Sequence, residues 1–222
     1  MQKQSYFITG TDTEVGKTYI AAGLIRHFVQ AGISTIGMKP IAAGYTAGYN
    51  EQGVVLVNED VTQLMAASSV IAPLSLITPY AFKLAIAPHI AAQKVGVSIE
   101  MEVILKAYHQ LAQMAEVVIV EGAGGFCVPL NINQTPYQSM ADLAQQLNLP
   151  VILVVGMRLG CINHALLTVQ VIQSCGLKLA GWVANQVGGE MTAYQENFST
   201  LKQLISAPCL AEVKWGSVPI FN

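Results

Sequence analysis

Residues 6–19 constrain the fold of this chain more than any other segment, because they read as a strand, a loop and a helix in direct succession. The β-favouring run Tyr6-Phe7-Ile8 breaks at Gly10 into small and polar residues. Residues 16–18 then open a segment in which apolar residues recur at three- and four-residue spacing, which predicts an amphipathic helix. The fold must therefore place a polar, glycine-containing loop between the end of a strand and the start of a helix.

This loop has the chemistry of a phosphate-binding loop. A helix N-terminus offers unpaired backbone N–H groups and the positive end of the helix dipole to an anion. Gly16 lets the backbone come close, Lys17 supplies a charge for the outer phosphates, and the Thr18 hydroxyl can ligate Mg²⁺. The common pattern has a glycine five residues before Gly16, whereas this chain has Thr11 there and Gly10 one residue further back. The alternative is a tight turn before a helix whose lysine is solvated.

Length and composition narrow the class of protein. A chain of 222 residues suffices for one large α/β domain or two small ones, and we expect a single domain over residues 1–222. Because 53% of the residues are hydrophobic and only 11% are charged, we expect part of the surface to meet another subunit. The net charge of −2 offers no basic field for nucleic acid. No apolar run approaches the ~20 residues of a membrane span, and the first strand begins too early for a signal peptide, so we expect a cytoplasmic protein.

A second candidate strand, residues 35–41, carries Lys39 near its end. Ligands of open α/β sheets bind beyond the carboxyl ends of the strands, which places Lys39 toward the phosphate loop, although a solvated lysine fits the position equally well. Residues 42–58 are rich in glycine, tyrosine and asparagine, and we expect a long loop over the site. Asp60 precedes a helical run over residues 61–67, where it either stabilises the helix start or holds Mg²⁺.

A continuous β-branched run ends in a carboxylate. Residues 117–121 have the pattern of a strand buried on both faces of a parallel sheet. The strand ends in Glu121, which is followed by Gly122, Ala123 and Gly124. This resembles the second nucleotide motif of phosphate-loop enzymes, in which an acid reaches Mg²⁺. A glutamate that merely ends a strand in a glycine turn is the weaker interpretation, because an acid next to a buried strand needs a partner.

The rest of the chain alternates strands with helices. We expect strands over residues 151–155 and 179–185, and helices over residues 98–115, 165–174 and 194–205. Ser98 is expected to cap the first of these helices. Residues 156–164 are expected to form a loop at the ligand-facing edge, where Asn185 also ends a strand and could read a purine. The alternation predicts a doubly wound, mostly parallel α/β sheet flanked by helices, of the P-loop NTPase type.

Four segments resemble the signatures of the dethiobiotin synthetases. They are residues 10–18, 39–44, 120–125 and 159–164, and the similarity extends from Tyr6 to about Trp215. Enzymes of this family are ATP-dependent ligases that carboxylate a diamine and close the ureido ring in biotin biosynthesis. The resemblance implies a homodimer that converts 7,8-diaminononanoate, CO₂ and MgATP into dethiobiotin, ADP and phosphate. The implied intermediates are a carbamate and a carbamic-phosphoric anhydride.

The resemblance also implies residue roles. The implied catalytic residues are Lys39 and Lys17, and the implied metal ligands are Thr18, Asp60 and Glu121. The implied nucleotide contacts are Glu14, Val15, Gly16, Lys17, Thr18, Tyr19, Asp60, Glu121, Gly122, Ala123, Gly124, Asn185, Gln186, Lys214, Trp215 and Gly216. The implied substrate contacts are Thr13, Lys39, Ala43, Leu159, Gly160, Cys161, Ile162 and Asn163, the last five across the dimer interface. Such a reaction needs charge neutralisation and alignment, so paired lysines and a metal suffice without an acid–base triad.

The chain departs from the family pattern at several positions. Ala43 stands where a hydroxyl residue is usual, so we expect one substrate hydrogen bond to be missing or supplied by water, at about 0.5–1.5 kcal/mol. Ala85 and Ala87 replace the usual proline and serine. Lys214 stands where a proline is common, and the chain ends at Asn222, short of the family's usual final helix and its acidic residue. These last departures leave nucleotide selectivity open.

Three other functions share the same scaffold. A partition-type ATPase would want a second lysine four residues before Gly16, where this chain has Asp12. A cobyrinate-type amidase needs a glutaminase domain with a nucleophilic cysteine, for which the chain has no room. A nucleotide-binding regulatory dimer that has lost turnover is the third alternative, and Ala43 and the shortened tail are the features that suggest it.

Overall fold

The computed structural model describes residues 2–50, 53–133 and 135–221. The strands in these ranges are β1 (Tyr6–Gly10), β2 (Thr35–Met38), β3 (Ile41–Ala43), β4 (Thr46–Asn50), β5 (Gly53–Val57), β6 (Tyr80–Phe82), β7 (Val117–Glu121), β8 (Pro129–Asn131), β9 (Gln138–Ser139), β10 (Val151–Met157), β11 (Leu179–Gln186) and β12 (Cys209–Val213). The helices are α1 (Lys17–Gln30), α2 (Glu59–Ala67), α3 (Leu74–Ile77), α4 (Pro88–Lys94), α5 (Met101–Met114), α6 (Met140–Leu147), α7 (Cys161–Ser174) and α8 (Tyr194–Leu204). No helix in the described ranges is both long and apolar enough to cross a bilayer.

Six strands form one parallel sheet in the order β12-β11-β10-β1-β7-β2. The chain leaves β1 toward β2 and β7 on one side and later returns to β10 on the other side. The winding direction therefore reverses next to β1, and ligands of open sheets bind beyond the carboxyl ends of the strands at such a point. The predicted doubly wound parallel sheet is confirmed.

Helices cover both faces of this sheet. Successive side chains of β1 point to opposite faces, so Phe7 packs in the cluster of α5 and α6, whereas Tyr6 and Ile8 pack in the cluster of α1. A third cluster joins α7 and α8 to β10 and β11 around the fully buried Trp182. Every residue of β1, β7 and β10 is buried. The polar groups of the sheet are thus concentrated at the ends of its strands.

The prediction of a long loop over residues 42–58 is wrong. β3 pairs with β6 in a small parallel sheet, and β4 and β5 form an antiparallel hairpin. The run Val54-Val55-Leu56-Val57 favours a strand, and its pairing satisfies backbone groups that a loop would leave to water. Residues 51 and 52 of that prediction lie outside the described part of the chain.

The strand predicted over residues 35–41 is divided into β2 and β3. The Lys39 N–H donates to the Ile77 carbonyl at 2.9 Å, which turns the backbone away from the main sheet. Pro40 has no N–H with which to continue a ladder. Lys39 is therefore the first residue beyond the carboxyl end of β2.

Two further boundaries differ from the prediction. Ser98 does not cap a helix, because α5 begins only at Met101 and the Ser98 hydroxyl accepts a hydrogen bond from Asn131 Nδ2 at 3.0 Å. The loop predicted over residues 156–164 contains the end of β10 and the first turn of α7. Gly160 starts that helix early because its φ of 92° makes it a left-handed N-cap residue.

Candidate functional site

The loop between β1 and α1 wraps closely around its own lysine. The Lys17 ammonium donates to the Asp12 carbonyl at 2.8 Å. A Cβ on Gly10 would lie 2.6 Å from Val15 Cγ2, and Gly16 N-caps α1 with a φ of 83°. Helix α1, which lies wholly within the described residues, has neither a side-chain cap nor an acidic residue in its first turn. Its N-terminal N–H groups and its dipole are therefore left for an anion.

A lysine and two carboxylates meet beyond the carboxyl ends of β2 and β7. The Lys39 ammonium donates to Glu121 Oε1 at 2.6 Å and to Asp60 Oδ2 at 2.5 Å. The Thr18 hydroxyl donates to the same Glu121 oxygen at 2.8 Å. Lys39 and Glu121 are 5% and 1% exposed. Because β2 and β7 are neighbours in the sheet, their ends bring these two side chains together, and α2 adds Asp60.

These charges shift the pKa values of their neighbours. Burial lowers the pKa of Lys17 to about 8; the Glu121 carboxylate opposes this shift and the Lys39 charge adds to it. Burial also acts to lower the pKa of Lys39, but Glu121 and Asp60 outweigh it and raise that pKa above its ordinary value. Burial acts to raise the pKa of Asp60, and the Lys39 ammonium outweighs it, so that pKa is lowered. Lys17 is consequently the group that gains most from an anion placed beside it.

Thr18, Asp60 and Glu121 fit a magnesium ion. Oε2 of Glu121 is buried and has no hydrogen-bond partner among the described residues. A buried carboxylate oxygen without a partner is costly, and a hard divalent cation satisfies it. The described part of the chain contains no cluster of three or more His, Cys, Asp or Glu side chains that could hold a metal. Two carboxylates and a hydroxyl instead suit a Mg²⁺ that completes its shell with phosphates and water.

A cavity of about 690 Å³, called here the site cavity, lies in front of the phosphate loop. Its lining residues are Thr13, Glu14, Gly16, Lys17, Thr18, Tyr19, Lys39, Ile41, Ala43, Asp60, Gln63, Ala85, Ile86, Ala87, Pro88, Glu121, Ala123, Gly124 and Val128. The structure thus brings the predicted phosphate, metal and lysine residues to one cavity. Of the predicted loop residues, Val15 is fully buried beneath it, and Gly122 lies at the end of β7 without lining it.

The residues predicted to border the base lie at or just beyond the ends of β11 and β12, outside the site cavity. They are Asn185, Gln186, Lys214, Trp215 and Gly216. Nδ2 of Asn185 donates to the Val15 carbonyl at 2.8 Å, and Oε1 of Gln186 accepts from the Trp215 N–H at 3.4 Å. Asn185 and Gln186 end β11, and the other three follow the neighbouring strand β12. Asn185 thus contacts the loop apex, and the bond between Gln186 and Trp215 joins the ends of β11 and β12.

The predicted substrate residues of the fourth segment do not reach the site cavity of their own chain. These residues are Leu159, Gly160, Cys161, Ile162 and Asn163. Leu159 is 96% exposed, and the last three form the first turn of α7. Arg158 donates to the Asp12 carboxylate at 2.5 Å, which ties the segment to the rim of the phosphate loop. The prediction assigns these residues to the site of a second subunit, and that assignment stays a prediction.

Asn58 and, apart from Ala43, the apolar side of the cavity have no assignment from the sequence. Asn58 caps α2 by accepting from the Val61 N–H at 3.2 Å, and its Nδ2 donates to the Ala43 carbonyl at 2.9 Å. It thereby links the segment of Ala43 to the helix of Asp60. An asparagine directly before an acidic helix start is a recognisable capping signal. The apolar side of the cavity carries no such signal, because segments distant in sequence build it.

Fold and loop together define a nucleotide-binding protein of the P-loop class. The MinC:MinD cell division protein complex of Aquifex aeolicus shares 14% identity with this chain at a TM-score of 0.56, over 94% of this chain and 80% of that chain. Cell division protein FtsY of Thermotoga maritima shares 14% identity at a TM-score of 0.54, over 100% of this chain and 65% of that chain. This chain therefore spans less than two thirds of that FtsY chain. At these identities the likeness shows the fold alone.

Relatives at higher identity identify the family. A family model described as an AAA domain matches residues 4–218. The ATP-dependent dethiobiotin synthetase of Cellvibrio japonicus is 48% identical over 213 residues, which are 96% of this chain and 90% of the relative. The ATP-dependent dethiobiotin synthetase of Janthinobacterium sp. (strain Marseille) is 46% identical over 214 residues, 96% of this chain and 89% of the relative. The chain belongs to the family of ATP-dependent dethiobiotin synthetases, as the four segments predict.

Proposed function

We propose that this chain is an ATP- and Mg²⁺-dependent ligase that forms dethiobiotin from 7,8-diaminononanoate and CO₂ in biotin biosynthesis. One observation carries the proposal: Lys17, Lys39, Asp60 and Glu121 converge in a single cavity at a phosphate loop. The ring-closing reaction is inferred from the family, since the curated relatives are ATP-dependent dethiobiotin synthetases.

The reaction is composed of three steps. One amine of the diamine adds to CO₂ and loses a proton, which gives a carbamate. A carbamate oxygen attacks the γ-phosphorus of ATP and ADP leaves, which gives a carbamic-phosphoric anhydride. The second amine attacks the anhydride carbonyl and loses a proton, and phosphate leaves as the five-membered urea ring closes.

The lysines stabilise the negative charge that these steps concentrate in one place. The carbamate and the transferred phosphoryl group are both anionic, and a buried ammonium acts on them at low effective dielectric. Lys17 belongs to the phosphate loop. Burial lowers the pKa of its ammonium, and an anion bound beside it raises that pKa again and so favours the charged form. Lys39 is held at the cavity floor by Glu121 and Asp60, so its ammonium needs no reorganisation during the reaction.

Magnesium held by Thr18, Asp60 and Glu121 would supply further positive charge to the outer phosphates when bound. The backbone of residues 14–19 binds the phosphates themselves. Acid–base catalysis contributes little, because a primary amine and a carbamate are nucleophilic without a dedicated base once they are aligned. Ile41, Ala43 and Ala85 give the opposite side of the cavity an apolar surface, which suits the methylene chain of the diamine and keeps water from a labile carbamate.

The proposal extends to assembly and location. The residues at or just beyond the ends of β11 and β12, Asn185, Gln186, Lys214, Trp215 and Gly216, border the adenine. The chain forms a homodimer in which residues 159–163 of one subunit receive the substrate carboxylate of the other; the 96% exposure of Leu159 supports a partner there. The chain acts as a single domain, since its three apolar clusters share the strands of one sheet, and it works in the cytoplasm.

Product formation from labelled bicarbonate tests the proposal. The purified chain is given MgATP, 7,8-diaminononanoate and ¹³C-bicarbonate, and both phosphate release and product mass are followed. We expect phosphate release to depend on the diamine and the product to carry one ¹³C atom. A rate of phosphate release that is the same with and without the diamine would contradict the ligase assignment. Nucleotide binding with no phosphate release under any condition would favour the regulatory dimer instead.

A further inference from the structure

The amide of Asn185 is buried against the apex of the phosphate loop. Asn185 is 6% exposed, and its Nδ2 donates to the Val15 carbonyl at 2.8 Å. A Cβ built on Gly16 would lie only 2.2 Å from the same nitrogen. The amide therefore fills the space beside the Val15–Gly16 peptide and leaves room for no side chain at Gly16.

The side chain of Val15 is held equally closely from the other direction. Val15 is fully buried. A Cβ on Gly156 would lie 2.7 Å from Val15 Cγ1, and a Cβ on Gly10 would lie 2.6 Å from Val15 Cγ2. Gly156 and Asn185 are register partners on β10 and β11. The ends of three strands thus hold Val15. β1 and β10 pack against its side chain, and β11 bonds to its carbonyl.

Fixing this carbonyl also fixes the next N–H. The peptide group is planar and trans, so the Val15 carbonyl and the Gly16 N–H point in opposite directions within one plane. Gly16 lines the site cavity and has a left-handed φ of 83°, in a residue whose backbone is intrinsically free. A hydrogen bond on the carbonyl side favours one direction for this N–H.

We propose that Asn185 is a positioning residue that orients the Gly16 N–H toward a phosphate. This role is separate from reading the base, which the family resemblance implies for the same residue. It rests on the proposed function in one respect only, namely that the loop binds the phosphates of a nucleotide. It requires neither the diamine nor the ring-closing reaction.

The number of phosphates in the ligand distinguishes a positioning residue from a base reader. Base contacts are the same in AMP, ADP and ATP, so the loss of a base reader weakens all three by one common factor. A misdirected loop N–H instead weakens binding in proportion to the phosphates that the loop engages. Inorganic tripolyphosphate carries the phosphates and has no base at all.

Asn185→Leu is the main variant, because the leucine side chain has the same branched arrangement of heavy atoms as asparagine, although it is larger, and it cannot donate a hydrogen bond. Calorimetric titration with Mg²⁺ present gives the affinity for AMP, ADP, ATP and tripolyphosphate. We expect a loss of about tenfold for tripolyphosphate, which corresponds to one charge-assisted hydrogen bond, and a loss for ATP that is about tenfold larger than the loss for AMP, because any contact of Asn185 with the base weakens both nucleotides equally. Gln186→Leu is the matched control, since Gln186 ends the same strand and bonds Gly189 and Trp215 instead of the loop. The control should leave tripolyphosphate affinity unchanged.

Equal losses for AMP, ADP and ATP, or full retention of tripolyphosphate affinity in Asn185→Leu, would overturn the proposal. If the leucine variant unfolds, Asn185→Ala is put through the same titrations. Thermal unfolding without ligand separates a folding defect from a loop defect. Because no measurement here uses the diamine, failure of this proposal and failure of the proposed function give different results.

Discussion

The two sides of the site cavity are built from different parts of the chain and with different chemistry. The charged side stands on the main sheet: Lys39 and Glu121 follow or end neighbouring strands, and each of these side chains is buried and bonded. The apolar side comes from connections, with Ile41 and Ala43 on β3 and Ala85 after β6. The charged groups are thus fixed by the scaffold, and the proposed contacts to the substrate chain lie on connecting segments, where sequence change is tolerated.

This difference predicts how each side responds to substitution. Removing one partner of a buried ion pair leaves an uncompensated charge, which costs about 3–5 kcal/mol. Changing a half-buried alanine on a cavity wall alters at most one hydrogen bond, which contributes about 0.5–1.5 kcal/mol. The effects expected below therefore decrease from the charged side to the apolar side.

Lys39→Gln should cause the largest loss. We expect turnover to fall about 10²–10³-fold while ATP affinity changes much less, because the ammonium stabilises charge that develops during phosphoryl transfer. Diamine-dependent phosphate release and calorimetric ATP binding measure the two quantities. Lys106→Gln, an exposed lysine of α5, is the control and should behave as the unaltered chain. An equal loss in turnover and affinity would mean that Lys39 is only a phosphate ligand.

Glu121→Gln should have the next largest effect, and it should appear in the magnesium dependence. We expect MgATP affinity to fall about 10–100-fold, whereas ATP affinity in the presence of a chelator stays the same, since the carboxylate acts through the metal. Titrating Mg²⁺ at constant ATP measures the difference. Glu59→Gln, an exposed neighbour of Asp60 on α2, is the matched control. A loss of equal size without magnesium would count against a metal ligand and in favour of a purely structural Glu121.

Ala43→Ser tests the apolar side of the cavity. The serine adds the hydroxyl that the family resemblance leads us to expect at this position, and we expect the KM for the diamine to fall about two- to tenfold, with no change in the KM for ATP. Steady-state kinetics with each substrate varied in turn measures both constants. Ala81→Ser, at an exposed position of β6 that does not line the site cavity, is the control and should leave both unchanged. A lower KM for ATP as well would show that the hydroxyl does not act on the diamine.

How much of the site the sequence predicts depends on what brings each residue there. Lys17 and Thr18 belong to one continuous strand–loop–helix pattern, and Glu121 ends an apolar run that reads as a central strand. Carboxyl ends of parallel strands meet at one edge, so local patterns suffice to bring these residues together. Asp60 was compatible with either a helix start or a metal, and only its contact with Lys39 in the folded chain shows its electrostatic partner.

The apolar side depends on pairing between segments distant in sequence. Ala43 is the register partner of Phe82, and a Cβ on Gly44 would lie 3.4 Å from the Ala85 Cβ. Nothing within either segment specifies the other as its neighbour. The hairpin of β4 and β5 is hard to predict for a different reason: the glycine and asparagine of β4 are typical of a loop, although the valines of β5 favour a strand. The average composition of a segment says nothing about which strand it pairs with, and that pairing determines whether the segment forms a strand or a loop.

Ala87→Ser should have the smallest effect, on stability rather than on activity. Ala87 is the N-cap residue of α4 and has no side-chain oxygen for the free N–H groups of the first turn, while Pro88 already occupies the first helical position. A serine there can accept one of these hydrogen bonds, so we expect the free energy of unfolding to rise by about 0.5–1 kcal/mol. Urea unfolding measures the change, with Ala85→Ser as a control that lies at no helix start. Because Ala87 also lines the site cavity, ATP affinity is measured in the same variant. We expect it to stay unchanged, and a marked change would show that this wall of the cavity also affects nucleotide binding.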